Sequence, residues 1–189
     1  MNYYSEDIIN QIIDTSDLDK MIENIQEFNN DIQMLFYYFS FDTISFDYID
    51  SLLMNQNNKV AFRCIDTNEF NIRNCPCAMI YNKYKCSKTK TIVYYIYMIC
   101  TKRSFKKLGY ASALLDDFIK KIKEEKNVKY ADYNVKIVLS SLENAISYYK
   151  HYGFRLESTN IRDYPMLMLH EKYEEDKTYY IMELQIERK

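Results

Sequence analysis

From Thr91 to Thr101 the chain is apolar or aromatic at almost every position. Val93, Tyr95, Tyr97 and Ile99 fall on one side of an extended chain, and Tyr94, Ile96, Met98 and Cys100 on the other. A strand that is apolar on both sides belongs in the middle of a sheet covered on both faces. Leu114, Leu115, Phe118, Ile119 and Ile122 then recur at helical spacing, predicting a helix over 108–123 that the charged run 120–126 ends. Upstream, Leu18, Met21, Ile22, Ile25 and Phe28 predict a helix over about 17–29, with Ser16 as its cap and Asp17 and Asp19 in its first turn. A second helix carries Phe46, Ile49, Leu52 and Leu53 on one face.

Alternating or continuous apolar runs bounded by polar turns predict strands at 59–66, 75–84, 91–101, 133–142, 154–158 and 178–187. Residues 143–152 predict a short helix, which Gly153 stops as a left-handed cap. The apolar run 8–13 fits a strand or a short helix, and the polar stretch 159–177 receives no element. The order is β-α-α-β-β-β-α-β-α-β-β. By itself this pattern supports a mixed α/β domain.

Composition narrows the function. A chain of 189 residues is long enough for one domain with a full core, so 1–189 is taken as a single domain. Lys and Arg total 25 against 27 for Asp and Glu, a net charge of −2, which argues against a nucleic-acid partner. No apolar run approaches a membrane span, and the chain opens on polar and acidic residues rather than a secretory leader. The five cysteines are therefore expected to be free thiols of a cytoplasmic protein. The spacing of Cys64, Cys75, Cys77 and Cys86 matches no zinc knuckle, and no metal is expected. The aromatic cluster from Phe36 to Phe41 reads as core, with an exposed partner surface as the alternative.

The chain has two glycines, where an average usage of about 7% would give roughly a dozen. Gly109 sits between the 91–101 strand and the helix that follows. At the mouth of a helix, a retained glycine marks a tight turn or a close approach of backbone to a ligand. Gly153 sits in Tyr148-Tyr149-Lys150-His151-Tyr152-Gly153-Phe154.

Both places carry a resemblance. Lys106-x-x-Gly109-x-Ala111, after a strand and opening a helix, resembles the coenzyme-A loop of the GNAT superfamily of N-acetyltransferases, Arg/Gln-x-x-Gly-x-Gly/Ala. The run from Asn144 through Tyr149 to Gly153-Phe154 resembles that family's second signature, Asn-x-x-Ala-x-x-x-Tyr-x-x-x-Gly-Phe, with Ala145 out of place relative to Asn144. Lys106 departs from the family's Arg or Gln. The resemblance implies a central mixed sheet of six to seven strands flanked by helices, with two parallel strands splayed at the cofactor site. It implies acetyl-CoA as co-substrate, a cofactor core over about 91–158, and an amine acceptor whose identity stays open, as does a homodimer.

On the same resemblance, Lys106, Lys107, Leu108, Gly109, Tyr110, Ala111 and Ser112 form a backbone nest for the pyrophosphate. Such amides, at the positive end of a helix dipole, suit an anion. Ile99, Cys100 and Thr101 hold the pantetheine arm through their backbone, and the oxyanion donor is a backbone N–H near Cys100. Asn144 either contacts the arm or caps the following helix. Tyr149 protonates the leaving thiolate, a task that a phenol of pKa about 10 can perform for a thiol of pKa about 8.5. No general base is assigned. The 91–101 strand has neither carboxylate nor histidine, so Tyr94, Tyr95 or Tyr97 would hold a water. His151 and His170 are the two histidines, and His170 falls in the unassigned stretch. The rival reading is a GNAT-fold protein that binds coenzyme A or a host partner without catalysis.

Overall fold

The structure, a computed structural model, describes residues 33, 36, 44–63, 65, 75–170 and 177–187. The readings for 8–13 and 17–29, for Cys64, and for the aromatic cluster apart from Phe36 lie outside these residues. Phe36 itself is fully buried.

The described strands form one six-stranded sheet in the order β1-β2-β3-β4-β6-β5. They are β1 (Asn58–Arg63), β2 (Cys77–Cys86), β3 (Thr91–Thr101), β4 (Asn134–Ser141), β5 (Arg155–Ser158) and β6 (Tyr180–Ile186). The helices are α1 (Phe46–Met54), α2 (Tyr110–Lys129), α3 (Ile146–His151) and α4 (Pro165–Met168). The chain divides into two compact units, one of Met1–Ile80 with Met98–Asp116 and one of Tyr81–Tyr97 with Asp117–Lys189.

In the first unit, α1 starts where Ser45 Oγ accepts the Tyr48 N–H at 3.2 Å, with Asp47 in the first turn. It buries Ile49 and Leu52 and ends where the buried Asn58 donates its side-chain amide to the Leu52 carbonyl at 2.9 Å. Pro76 fixes the approach to β2, its carbonyl accepting the Lys102 N–H at 2.9 Å.

In the second unit, β3 and β4 pair in parallel from Thr91↔Asn134 to Ile96↔Leu139. Parallel neighbours need a long crossover, and α2 supplies it. β4 pairs antiparallel with β6 from Val135↔Ile186 to Ser141↔Tyr180, and β5 closes the edge against β6 with a bulge between Leu156 and Ser158. The doubly apolar pattern of β3 is accounted for. Tyr94 meets the Phe118 ring of α2 edge-on at 5.9 Å. Val93 and Tyr95 join Val138, Ile161, Leu167, Tyr179 and Ile181 in a separate core layer.

Several bounds differ from the sequence reading, among them β1, which ends at Arg63 rather than 66, and β2, which runs Cys77–Cys86 rather than 75–84, and two differences have a visible cause. α2 does not stop in the charged run but continues to Lys129. The Lys126 ammonium is buried there, donating to the carbonyls of Tyr130 (3.4 Å), Ala131 (3.1 Å) and Tyr133 in the turn that follows the helix. The stretch given no element contains a 3₁₀ turn, Ile161–Asp163, and α4. Asn160 opens that turn by accepting the Arg162 N–H at 3.0 Å, and Pro165 occupies the start of α4, where its missing donor costs nothing.

Candidate functional site

The turn between β3 and α2 lies in the first unit. A 3₁₀ turn, Arg103–Phe105, leads in, with Phe105 N–H bonded to the Lys102 carbonyl at 2.9 Å. Two residues then take left-handed backbone, Lys107 at φ +66° and Gly109 at φ +82°. A Cβ built on Gly109 would meet none of the described residues within 4 Å, and it is the left-handed backbone that calls for glycine. The first helical bond is Ala113 N–H to the Gly109 carbonyl at 2.9 Å. The amides of Tyr110, Ala111 and Ser112 precede it and point out of the helix end. No acidic residue stands in that first turn to offset the dipole. Phe105 and Tyr110 pack edge-to-face across the turn at 5.6 Å and hold its two arms together. Arg103, Lys106 and Lys107 are exposed, whereas Lys102 is buried and does not contribute an exposed cation.

Ile99, Cys100 and Thr101 end β3 in the same unit. Burial, then the neighbouring Cys77, pushes the Cys100 thiol up to about 12, against the opposing pull of Lys106. Burial pushes Cys77 up to about 11 despite its hydrogen bond with Thr101. Both thiols stay protonated at neutral pH, which removes them as nucleophiles. The β3–β4 register stops at Ile96↔Leu139, although β3 runs on through Tyr97 to Thr101 and Ser140 and Ser141 remain paired with β6. Among the described residues no group of three or more His, Cys, Asp or Glu is arranged to hold a metal.

Asn144 and Tyr149 lie in the second unit. The Tyr-x-x-x-Gly-Phe spacing has a plain physical basis here. Phe154 N–H bonds to the Tyr149 carbonyl at 3.2 Å and Gly153 N–H to the Lys150 carbonyl at 3.0 Å, the double closure of a Schellman cap. Gly153 takes the left-handed position at φ +90°. Tyr149 and Phe154, at the two ends of the closure, pack edge-to-face at 5.6 Å. Tyr149 is thus buried and held by the motif that contains it, with Tyr148 edge-on at 5.1 Å. Asn144 is exposed within a 3₁₀ turn, Glu143–Ala145. It is not a cap, because Leu142 and Ala145 occupy the capping positions and neither makes a side-chain bond. That overturns the capping alternative.

The three tyrosines of β3 considered as water holders differ. Tyr94 donates its hydroxyl to Glu125 at 2.6 Å, and Lys83 meets the same carboxylate oxygen at 2.5 Å. Burial and that bond keep the Tyr94 phenol strongly protonated. Tyr95 is buried. Tyr97 donates to the Met166 carbonyl at 3.3 Å, and burial pushes its phenol up to about 12. The ring of His170 stands edge-on to Tyr97 at 5.2 Å. Sequence reasoning also missed Glu183, whose carboxylate accepts from Lys136 at 2.6 Å and Tyr164 at 2.7 Å. The signal was a charge in the middle of each of two apolar strands, β4 and β6.

No helix among the described residues is long and apolar enough to cross a membrane. A family model described as the acetyltransferase (GNAT) family matches residues 28–154. No curated protein sequence matches the chain. Among solved structures, Tetrahymena GCN5 is 15% identical, with 92% of this chain and 93% of that one covered at a TM-score of 0.56. Arabidopsis thaliana Naa50, solved with the bisubstrate analogue CoA-Ac-MVNAL, is 16% identical over 80% and 90% of the two chains at 0.51. The Escherichia coli ribosomal-protein-S18-alanine N-acetyltransferase is 16% identical over 82% and 87% at 0.51. At these identities the likeness concerns the fold, a mixed sheet flanked by helices, and the family match concerns the sequence itself. The chain belongs to the GNAT family of acetyltransferases.

Proposed function

We propose that this protein is a cytoplasmic, single-domain N-acetyltransferase that moves the acetyl group of acetyl-CoA to a primary amine. The observation that carries the reading is the β3–α2 turn. Left-handed Lys107 and Gly109 lead into a helix whose first turn carries no acidic residue. That arrangement suits a pyrophosphate, held by the amides of Lys106, Lys107, Leu108, Gly109, Tyr110, Ala111 and Ser112. The Lys106 and Lys107 ammonium groups add charge. Ile99, Cys100 and Thr101 bind the pantetheine arm through backbone groups, which the end of the β3–β4 register at Ile96 supports. Asn144, exposed and not engaged as a cap, is assigned to the same arm.

A backbone N–H near Cys100 stabilises the oxyanion as the amine attacks. Tyr149 gives its phenolic proton to the departing thiolate. The nucleophile is the acceptor amine itself, consistent with protonated thiols at Cys77 and Cys100. The acceptor is a small-molecule amine or a peptide amine. The test is calorimetric binding of acetyl-CoA followed by thiol release over a panel of amines. Binding without amine-dependent release would leave a coenzyme-A-binding protein rather than an enzyme.

A further inference from the structure

The reaction needs a group to take a proton from the acceptor, because an alkyl ammonium has no lone pair with which to attack. The face of the sheet bearing Tyr95 and Tyr97 carries such a group on an element that the sequence pattern did not disclose. α4 is tied to β3 where the Tyr97 hydroxyl donates to the Met166 carbonyl at 3.3 Å. Two residues beyond α4, the half-buried His170 sets its ring at 82° to that of Tyr97, with centroids 5.2 Å apart. The alternation that puts Tyr97 on this face also puts Ile99 there.

Among the described residues, the titratable and charged groups on this face are Tyr95 and Tyr97 of β3, Lys136 of β4 and Glu183 of β6. Tyr164 precedes α4, and Tyr179 with Lys177 precedes β6. Lys136 and Glu183 pair at 2.6 Å, and Tyr164 donates to the same Glu183 oxygen. The Glu183 carboxylate is therefore engaged twice. Burial makes the Tyr97 phenol a weaker acid than an ordinary one, and burial with the Glu183 bond does the same for Tyr164. Burial lowers the His170 imidazole below its ordinary 6.5, so the neutral form, which can take up a proton, prevails at pH 7.

We propose that His170 is the general base of acetyl transfer, taking a proton from the acceptor ammonium on the Tyr97 face of the sheet. The assignment rests on the acetyl-transfer reading above. The ammonium loses one proton to His170 and becomes a free amine, whose lone pair forms the C–N bond. The C–S bond breaks, the thiolate takes the Tyr149 proton, and the second nitrogen proton replaces it through solvent. His170 returns its proton to solvent, so acetyl-CoA and a charged amine give the acetamide, free coenzyme A and one proton.

The test measures thiol release against pH with spermidine, kanamycin, a pentapeptide with a free N-terminus and a lysine peptide as acceptors. The wild type should lose activity as pH falls through an ionisation below 6.5. His170→Gln should lower kcat by about 10²–10⁴-fold and lose that limb. Its acetyl-CoA affinity by calorimetry should be unchanged. His170→Ala should regain turnover with added imidazole, which a merely structural histidine would not permit. A wild-type profile lacking an ionisation below 6.5 overturns the proposal whether or not the variants fold. So does a His170→Gln that keeps both its rate and its limb, and in that case acetyl transfer itself stands. Acetyl-CoA binding with no thiol release from any of the four acceptors overturns the acetyl-transfer reading and His170 with it.

Discussion

Replacing Gly109 with alanine separates the strain of the turn from the space above it. The residue sits at φ +82°, and an added Cβ would touch none of the described residues within 4 Å. The conformational cost to the fold is about 1–2 kcal/mol for an L-residue in left-handed backbone. For a chain of this size each kcal/mol moves the melting temperature by about 2–4 °C, so a fall of roughly 2–8 °C is expected. The open space over Gly109 is where the proposed pyrophosphate would come, and a methyl there intrudes on it. Each tenfold loss in dissociation constant corresponds to about 1.4 kcal/mol. The expected result is a loss of coenzyme-A affinity larger than the strain explains, and larger still for Gly109→Val.

Gly153→Ala is the control. It sits at φ +90°, and its Cβ would come to 3.4 Å from Leu184 Cδ1. It should lower stability by a similar or slightly larger amount, read by the same thermal melt, and leave coenzyme-A affinity nearly unchanged. Calorimetry on the three proteins decides. If Gly109→Ala melts earlier but binds as tightly as wild type, the phosphate-nest assignment is wrong. If neither alanine variant melts earlier, the left-handed turns are wrong.

Tyr149→Phe should lower turnover by about 10²–10⁴-fold with little change in affinity, while Tyr148→Phe and Tyr152→Phe stay near wild type in the same thiol-release assay. Lys126→Met should destabilise the chain in urea by about 1–3 kcal/mol, because the carbonyls of Tyr130, Ala131 and Tyr133 lose their buried donor. Burial pushes the Glu125 carboxyl up, but its bonds from Lys83 and Tyr94 outweigh this and leave it below its ordinary 4.5. A depressed carboxyl stabilises the fold above that value and ceases to do so as pH falls through the folded-state value. Glu125→Gln should therefore flatten the acid limb of a stability–pH curve measured by urea melts.

The parts of the fold that were legible were those fixed by local pattern. β3 came out at Thr91–Thr101 because both its faces are apolar, and the Gly153 cap because a glycine must follow a helix that ends in left-handed backbone. The end of α2 was not legible, since a lysine-rich run reads as solvent-exposed unless one of its lysines finds buried carbonyls, as Lys126 does. The stretch holding α4 was missed because a four-residue helix has no period to read, and what holds it is tertiary, Ile161 and Leu167 packing on Val93, Tyr95 and Val138. His170 was lost with it. The place of Tyr149 before Gly153-Phe154 is legible in the sequence, and the Schellman closure supplies the physical reason for that spacing.

The central claim is that the chain holds acetyl-CoA at the β3–α2 turn and passes its acetyl group to an amine. The most direct measurement is thiol release from acetyl-CoA with and without an amine panel, on wild type and Gly109→Val at equal concentration, with binding read in parallel by calorimetry. The account predicts tight binding and amine-dependent release by wild type, and loss of both in a Gly109→Val protein that still melts cooperatively. Binding that survives Gly109→Val, or release that does not depend on an amine, would contradict it.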